Sequence, residues 1–134
     1  MEAILRTVLF ARSMPGQALG YASAGLIGTT VHYAVLTALL QGNVIDVVAA
    51  STVGAVTGGL VNYWLNHAKV FKSRVRHHVA LPRFAVVATF GIAVNAVMLT
   101  VCAPTFGTLG GQLISSVAVL VTGYSLNRMW SFRD

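Results

Sequence analysis

The stretch His67-Ala68-Lys69-Val70-Phe71-Lys72-Ser73-Arg74-Val75-Arg76-His77-His78-Val79-Ala80-Leu81-Pro82-Arg83 decides the fold. It carries five of the nine Lys and Arg residues of the chain, and the other four are Arg6, Arg12, Arg128 and Arg133, near the two ends. Between these clusters lie two long apolar blocks, residues 18–65 and 84–127, each interrupted only by a short turn-like stretch. A soluble domain spreads its cations over its whole surface. Here they are confined to every second connection, the pattern of four membrane-spanning helices with both termini and the central loop on the cytoplasmic face.

The composition agrees. Charged residues are 9% of the 134-residue chain, against about 25% in ordinary soluble domains. The apolar fraction is 56% and the mean hydropathy is +0.75, so there is too little charge to cover a soluble surface. A net charge of +6 would suggest nucleic acid in a soluble protein. Here it follows from basic loops and only three acids, Glu2, Asp46 and Asp134, and no nucleic-acid partner is expected. The single cysteine, Cys102, excludes an intrachain disulfide and reads as a small packing residue.

Four spans are expected, at 19–40, 44–65, 84–103 and 109–127. Each is close to the ~20 residues that an α-helix needs to cross the hydrocarbon core. Gln41-Gly42-Asn43 and residues 104–108 are tight outer connections without a cation, and Asp46 lies where it can reach headgroup water. The expected fold class is an all-α membrane protein, with residues 18–134 forming the four-helix domain. Residues 1–17 form a separate cytoplasmic segment. Ile4, Leu5, Val8 and Leu9, interleaved with Arg6 and Arg12, suit an amphipathic stretch on the membrane surface; a disordered tail is the alternative. A cleaved signal peptide is not expected, because the apolar run is short and Ser13-Met14-Pro15-Gly16 is a poor cleavage site.

The two halves repeat. Tyr21, Gly28, His32, Leu36 and Thr37 match Phe84, Gly91, Asn95, Leu99 and Thr100 at a constant offset. Tyr63-Trp64-Leu65-Asn66, closing at Phe71, matches Tyr124-Ser125-Leu126-Asn127, closing at Phe132. Each half is a helical hairpin that enters and leaves on the same side, so the repeat is parallel. Repeats of this kind often place a binding site at their interface.

Residues four apart share a helical face. Gly54, Gly58, Asn62 and Asn66 form one such stripe, small toward the outside and polar toward the basic end; Ser115, Val119, Gly123 and Asn127 form its counterpart. The Gly54-x-x-x-Gly58 pattern allows close backbone approach, either within the bundle or between protomers of a homo-oligomer. Asn62, Asn66, Asn95 and Asn127 should face protein, water or a ligand rather than lipid. Cations and aromatics follow both helix ends, and they suit interface anchors. Together with Lys69, Arg83 and Arg128, the asparagines also suit a lipid phosphate, which needs charge and directed hydrogen bonds. His32, in the middle of the first span, is either a buried neutral imidazole or a ligand-contacting, proton-responsive one. There is no Gly-x-Ser-x-Gly, no metal-ligand cluster and no phosphate loop. No enzyme activity, metal or cofactor is expected.

The chain resembles the GtrA-like family of small four-span membrane proteins, from about Leu19 to Phe132. The most specific parts are Asn62-Tyr63-Trp64-Leu65-Asn66-His67-Ala68-Lys69-Val70-Phe71 and its echo Tyr124-Ser125-Leu126-Asn127-Arg128-Met129-Trp130-Ser131-Phe132. They follow the family pattern of Asn, aromatic, two residues, Asn, Arg, aromatic and a closing Phe. Tyr21 to Gly28 and Arg83-Phe84 support it. The chain departs at His67 and Lys69, where the pattern has Arg and an aromatic, and at Gly123, where it has Asn. The resemblance implies translocation of a polyprenyl-phosphate-linked monosaccharide, such as undecaprenyl-phosphate glucose, or of polyprenyl phosphate itself. It would act across a bacterial cytoplasmic membrane, beside a membrane glycosyltransferase, for modification of envelope polysaccharide. A non-transporting scaffold for that transferase is the alternative. The expected ligand-binding residues are His32, Asn62, Asn66, Lys69, Arg83, Asn95, Asn127 and Arg128.

Overall fold

A computed structural model describes residues 2–43 and 45–134, with backbone alone at 2–13, 47, 48 and 109. The described residues are helical throughout apart from short connections, with no β-strand among them. The chain divides into two units, Met1–Lys72 and Ser73–Asp134. Each is a helical hairpin, as the internal repeat predicts.

In the first unit, helix α1 spans Glu2–Gln41 and α2 spans Val47–Leu65. α1 runs through Pro15 without a break. The side chains of residues 2–13, Arg6 and Arg12 among them, are not described, so the expected interfacial segment 1–17 is seen there only as a helical backbone continuous with the first span. The 28-residue part Met14–Gln41 contains an 18-residue segment of mean hydropathy 1.4, long and apolar enough to cross a membrane. α1 ends where the amides of Gly42 and Asn43 donate to the carbonyls of Ala38 and Leu40, both at 3.1 Å. Asn43, with φ 49°, turns the chain in the left-handed region that Asn tolerates. The second span starts at Val47 rather than 44. Asp46 is the reason: its carboxylate accepts the Ala49 amide at 3.1 Å and so caps α2.

The two helices meet through glycine. A Cβ added at Gly28 would lie 2.7 Å from the Gly58 carbonyl oxygen, and one at Gly54 would lie 2.7 Å from the His32 carbonyl oxygen. At Gly58 a Cβ would collide with the Gly28 carbonyl oxygen. The Gly54–Gly58 face is therefore occupied by α1 of the same chain, which decides the choice the sequence left open in favour of packing inside the hairpin.

In the second unit the helical stretch His77–Leu126 contains Gly107 at φ 74°, ψ 168°. That conformation is not helical, so two helices meet there: α3, residues 77–106, and α4, residues 108–126. The kink falls inside the expected outer connection 104–108. α3 begins earlier than the expected 84. Arg76 is extended at φ −62°, ψ 142°, and its carbonyl accepts the amides of Val79 and Ala80 at 2.9 Å. The 32-residue stretch His77–Thr108 contains an 18-residue segment of mean hydropathy 2.2. At the far end of this hairpin a Cβ on Gly111 would lie 2.9 Å from the Ala103 backbone, so here too glycine sets a close approach.

Candidate functional site

Both hairpins finish in the same device. Asn66–Val70 and Asn127–Ser131 are π-helical turns. In such a turn each amide reaches the carbonyl five residues back rather than four. The Phe71 amide donates to the Asn66 carbonyl at 2.9 Å, and the Phe132 amide to the Asn127 carbonyl at 3.0 Å. The recurring spacing of Asn and Phe is thus the sequence form of two i→i+5 closures. The closing rings dock on the aromatic that opens each repeat. Tyr21 and Phe71 meet edge-on at 6.2 Å between centroids, and Phe84 and Phe132 at 5.9 Å.

The asparagine side chains lie inside these ends. Asn66 is 0% exposed and Asn127 1%. The Asn66 amide nitrogen donates to the Asn62 carbonyl at 2.9 Å and to the Asn62 side-chain oxygen at 2.7 Å. Asn62, Asn66 and the π-turn form one hydrogen-bonded unit through the Asn66 side-chain nitrogen and backbone carbonyl, while the Asn66 Oδ1 is buried with no hydrogen bond.

The cations differ between the halves. Arg128 donates to the Tyr124 hydroxyl at 2.6 Å and lies over that ring at 5.8 Å. Arg83 donates to the Trp130 carbonyl at 3.1 Å and lies over the Trp130 ring at 5.7 Å. Both are held by neighbours within the second unit. The Asp134 carboxylate accepts the Arg74 amide at 2.6 Å and the Ser73 hydroxyl at 3.3 Å, so the last residue folds back onto the first of that unit. In the first unit, His67 takes the place of Arg128 and packs against Tyr63 at 5.7 Å. Lys69 is exposed and lines a groove of about 570 Å³ with Lys72, Gly16 and Gly20.

Farther along the hairpins lie polar groups at membrane depth. In the first unit a notch of about 190 Å³ is lined by Thr29, His32 and Asn62 over the glycines. The His32 ring stacks on Tyr33 at 5.1 Å, and its Nε2 is buried without a hydrogen bond. In the second unit Gln112 donates to the Asn95 side chain at 3.2 Å and reaches Ser116 at 3.5 Å. The repeat-matched His32 and Asn95 thus each anchor a polar patch.

The structure brings His32 together with Asn62, and Asn62 with Asn66; Lys69 stands apart on the groove. Asn95, Asn127, Arg83 and Arg128 belong to the other unit. Lys72, Gln112 and Tyr124 take part without having been singled out from the sequence. Tyr124 was readable, four residues before Arg128 on one helical face. Gln112 was not, because its pairing with Asn95 depends on hairpin register.

A family model described as the GtrA/DPMS transmembrane domain matches residues 20–132. No curated protein and no solved structure matches the chain.

Proposed function

Because the chain belongs to the GtrA/DPMS transmembrane-domain family, we propose that it moves a polyprenyl-phosphate-linked monosaccharide, or polyprenyl phosphate, across a bacterial cytoplasmic membrane. The family ties it to polyprenyl-phosphate sugar chemistry at the membrane. The observation that supports transport is the polar patch on each hairpin. Even one Arg or Lys at mid-membrane costs roughly 2.5–3.5 kcal/mol on insertion scales, and a sugar phosphate, with its charge and several hydroxyls, meets a higher barrier. Thr29, His32 and Asn62 on one hairpin, and Asn95, Gln112 and Ser116 on the other, supply hydroxyl, imidazole and amide groups where lipid supplies none. A gradient of the lipid, or its consumption on the far side, drives the movement, and a membrane glycosyltransferase supplies the cargo.

One observation favours a scaffold for that transferase instead. Arg74, Arg76, His77 and His78, at the start of the second unit, are exposed. Each basic residue near an anionic leaflet contributes about 1 kcal/mol of attraction. The separating experiment uses purified protein in liposomes carrying a labelled lipid-linked sugar. The transporter reading expects the protected inner-leaflet pool to become accessible, and His32→Leu with Asn95→Leu to slow this at least tenfold. Protein that leaves the pool protected would be a scaffold.

The basic loop also sets the proposed topology. In a Cys102→Ser background, His78→Cys should be closed to an impermeant maleimide applied to intact cells, and Thr105→Cys should react. Labelling at position 78 alone would invert the orientation.

A further inference from the structure

The repeats have diverged at their basic ends. In the second hairpin Arg128 and Arg83 are held by the Tyr124 hydroxyl and the Trp130 carbonyl. In the first hairpin Lys69 and Lys72 line an open groove of about 570 Å³. Lys72 has φ 50°, a left-handed residue just after the π-turn, and the reversal keeps it on the same groove as Lys69. The opposite wall is small. At Gly16 an added Cβ would meet nothing within 4 Å, and at Gly20 it would meet only Val70, at 3.4 Å. Ile27 and Leu65 line this groove and also a second one of about 550 Å³. That second groove is almost wholly apolar and runs along Leu60, Val61 and Trp64.

We infer that these joined grooves bind the phosphate and the first part of the chain of a single-chain lipid phosphomonoester, and that the first hairpin alone does so. Two ammonium groups stand beside one apolar channel. A phosphomonoester carries about −1.5 to −2 charge at neutral pH, which two lysines match and the single charge of a two-chain phosphodiester lipid does not. Asp46, the acid described in this unit, caps α2 at the opposite end and does not compete for them. The hydrocarbon continues from Ile27 and Leu65 into the apolar groove, so head and tail are served without unburying either asparagine. The class of lipid rests on the function proposed above in its polyprenyl-phosphate form, since the sugar-linked lipid is a singly charged phosphodiester; the assignment to one repeat rests on the contrast between the two ends.

The test uses the full chain in phosphatidylcholine nanodiscs, titrated with undecaprenyl phosphate. Lys69→Gln and Lys72→Gln should each weaken binding about tenfold or more, the usual loss for a charge-assisted hydrogen bond. Gly16→Leu should block the groove to a similar extent, and none of the three should lower the melting temperature appreciably. Arg74→Gln and Arg128→Gln should keep the parent's affinity, and phosphatidylglycerol at the same concentration should not compete. Parental binding by both lysine variants would overturn the inference. So would loss of binding in Arg128→Gln at an unchanged melting temperature, equal competition by phosphatidylglycerol, or a parent that binds no undecaprenyl phosphate. Transport is scored separately in the liposome assay. Transport with unaffected lysine variants removes this site and leaves the function standing; lysine-dependent binding without transport keeps the site and supports the scaffold.

Discussion

Gly58→Leu should remove the folded first hairpin, at a cost of about 3 kcal/mol or more, the upper part of the range for overpacking. The reason is what the new side chain meets. Its Cβ would land on the carbonyl oxygen of Gly28, with the His32 Cβ at 3.0 Å and the His32 amide nitrogen at 3.1 Å. These are backbone or backbone-proximal atoms, and no rotamer change moves them away. The helices must separate, and close packing is the main force that joins helices in lipid. Gly54→Leu should behave alike, since its Cβ would lie 2.7 Å from the His32 carbonyl oxygen. The control is one residue away: at Gly59 a Cβ meets nothing within 4 Å, so Gly59→Leu should be tolerated. Thermal unfolding and elution in mild detergent report the difference. Equal melting of the Gly58 and Gly59 variants would show that α1 does not seat on this stripe.

The contrast shows what the sequence could carry. The four helices were legible because charge and hydropathy are summed over many residues, and lipid enforces them strongly. The glycine stripe was legible as a packing face. Its partner was not, because Gly28 and His32 lie on another helix and only register brings them to Gly54 and Gly58. Boundaries moved for local reasons. Asp46 reads from its charge as a headgroup contact but acts through a backbone amide as a cap. The asparagines are the sharper case. Recurrence of Asn66 and Asn127 beside cations suggests a ligand. The structure uses the same recurrence to bury the side chains and close π-turns onto Phe71 and Phe132. A spacing of five was the available signal, and it is rarely read because α-helices teach the eye to look for three and four. The cations remained ambiguous for a related reason. Whether Arg128 or Lys69 is open depends on one neighbour each, Tyr124 in the first case and the small wall around Gly16 in the second.

Phe132→Ala should be the most damaging single change at the basic end of the second hairpin. The backbone closure survives it, because Ala keeps the amide that donates to the Asn127 carbonyl. What is lost is a ring that is 4% exposed and packed on Phe84 at 5.9 Å. Removing a buried Phe typically costs 3–5 kcal/mol, and a value near 3 is expected at a membrane edge where lipid can enter part of the void. Asn127 and Ser131, in the π-turn that Phe132 closes, are both almost fully buried. Opening the end exposes them and loosens the hold of the Trp130 carbonyl on Arg83. Phe71→Ala makes the matching cut in the first hairpin. Phe71 is only half-buried, and its contact with Tyr21 is longer, at 6.2 Å. It should lose about half as much stability. The two variants should also part in function: Phe71 borders the lysine groove and its loss should weaken lipid-phosphate binding, whereas Phe132→Ala should leave that affinity intact in the fraction that folds. Paired melting curves and binding titrations decide it. If Phe71→Ala proves the more destabilising, or if Phe132→Ala abolishes binding in folded protein, the two ends have not divided the work between anchoring and recognition.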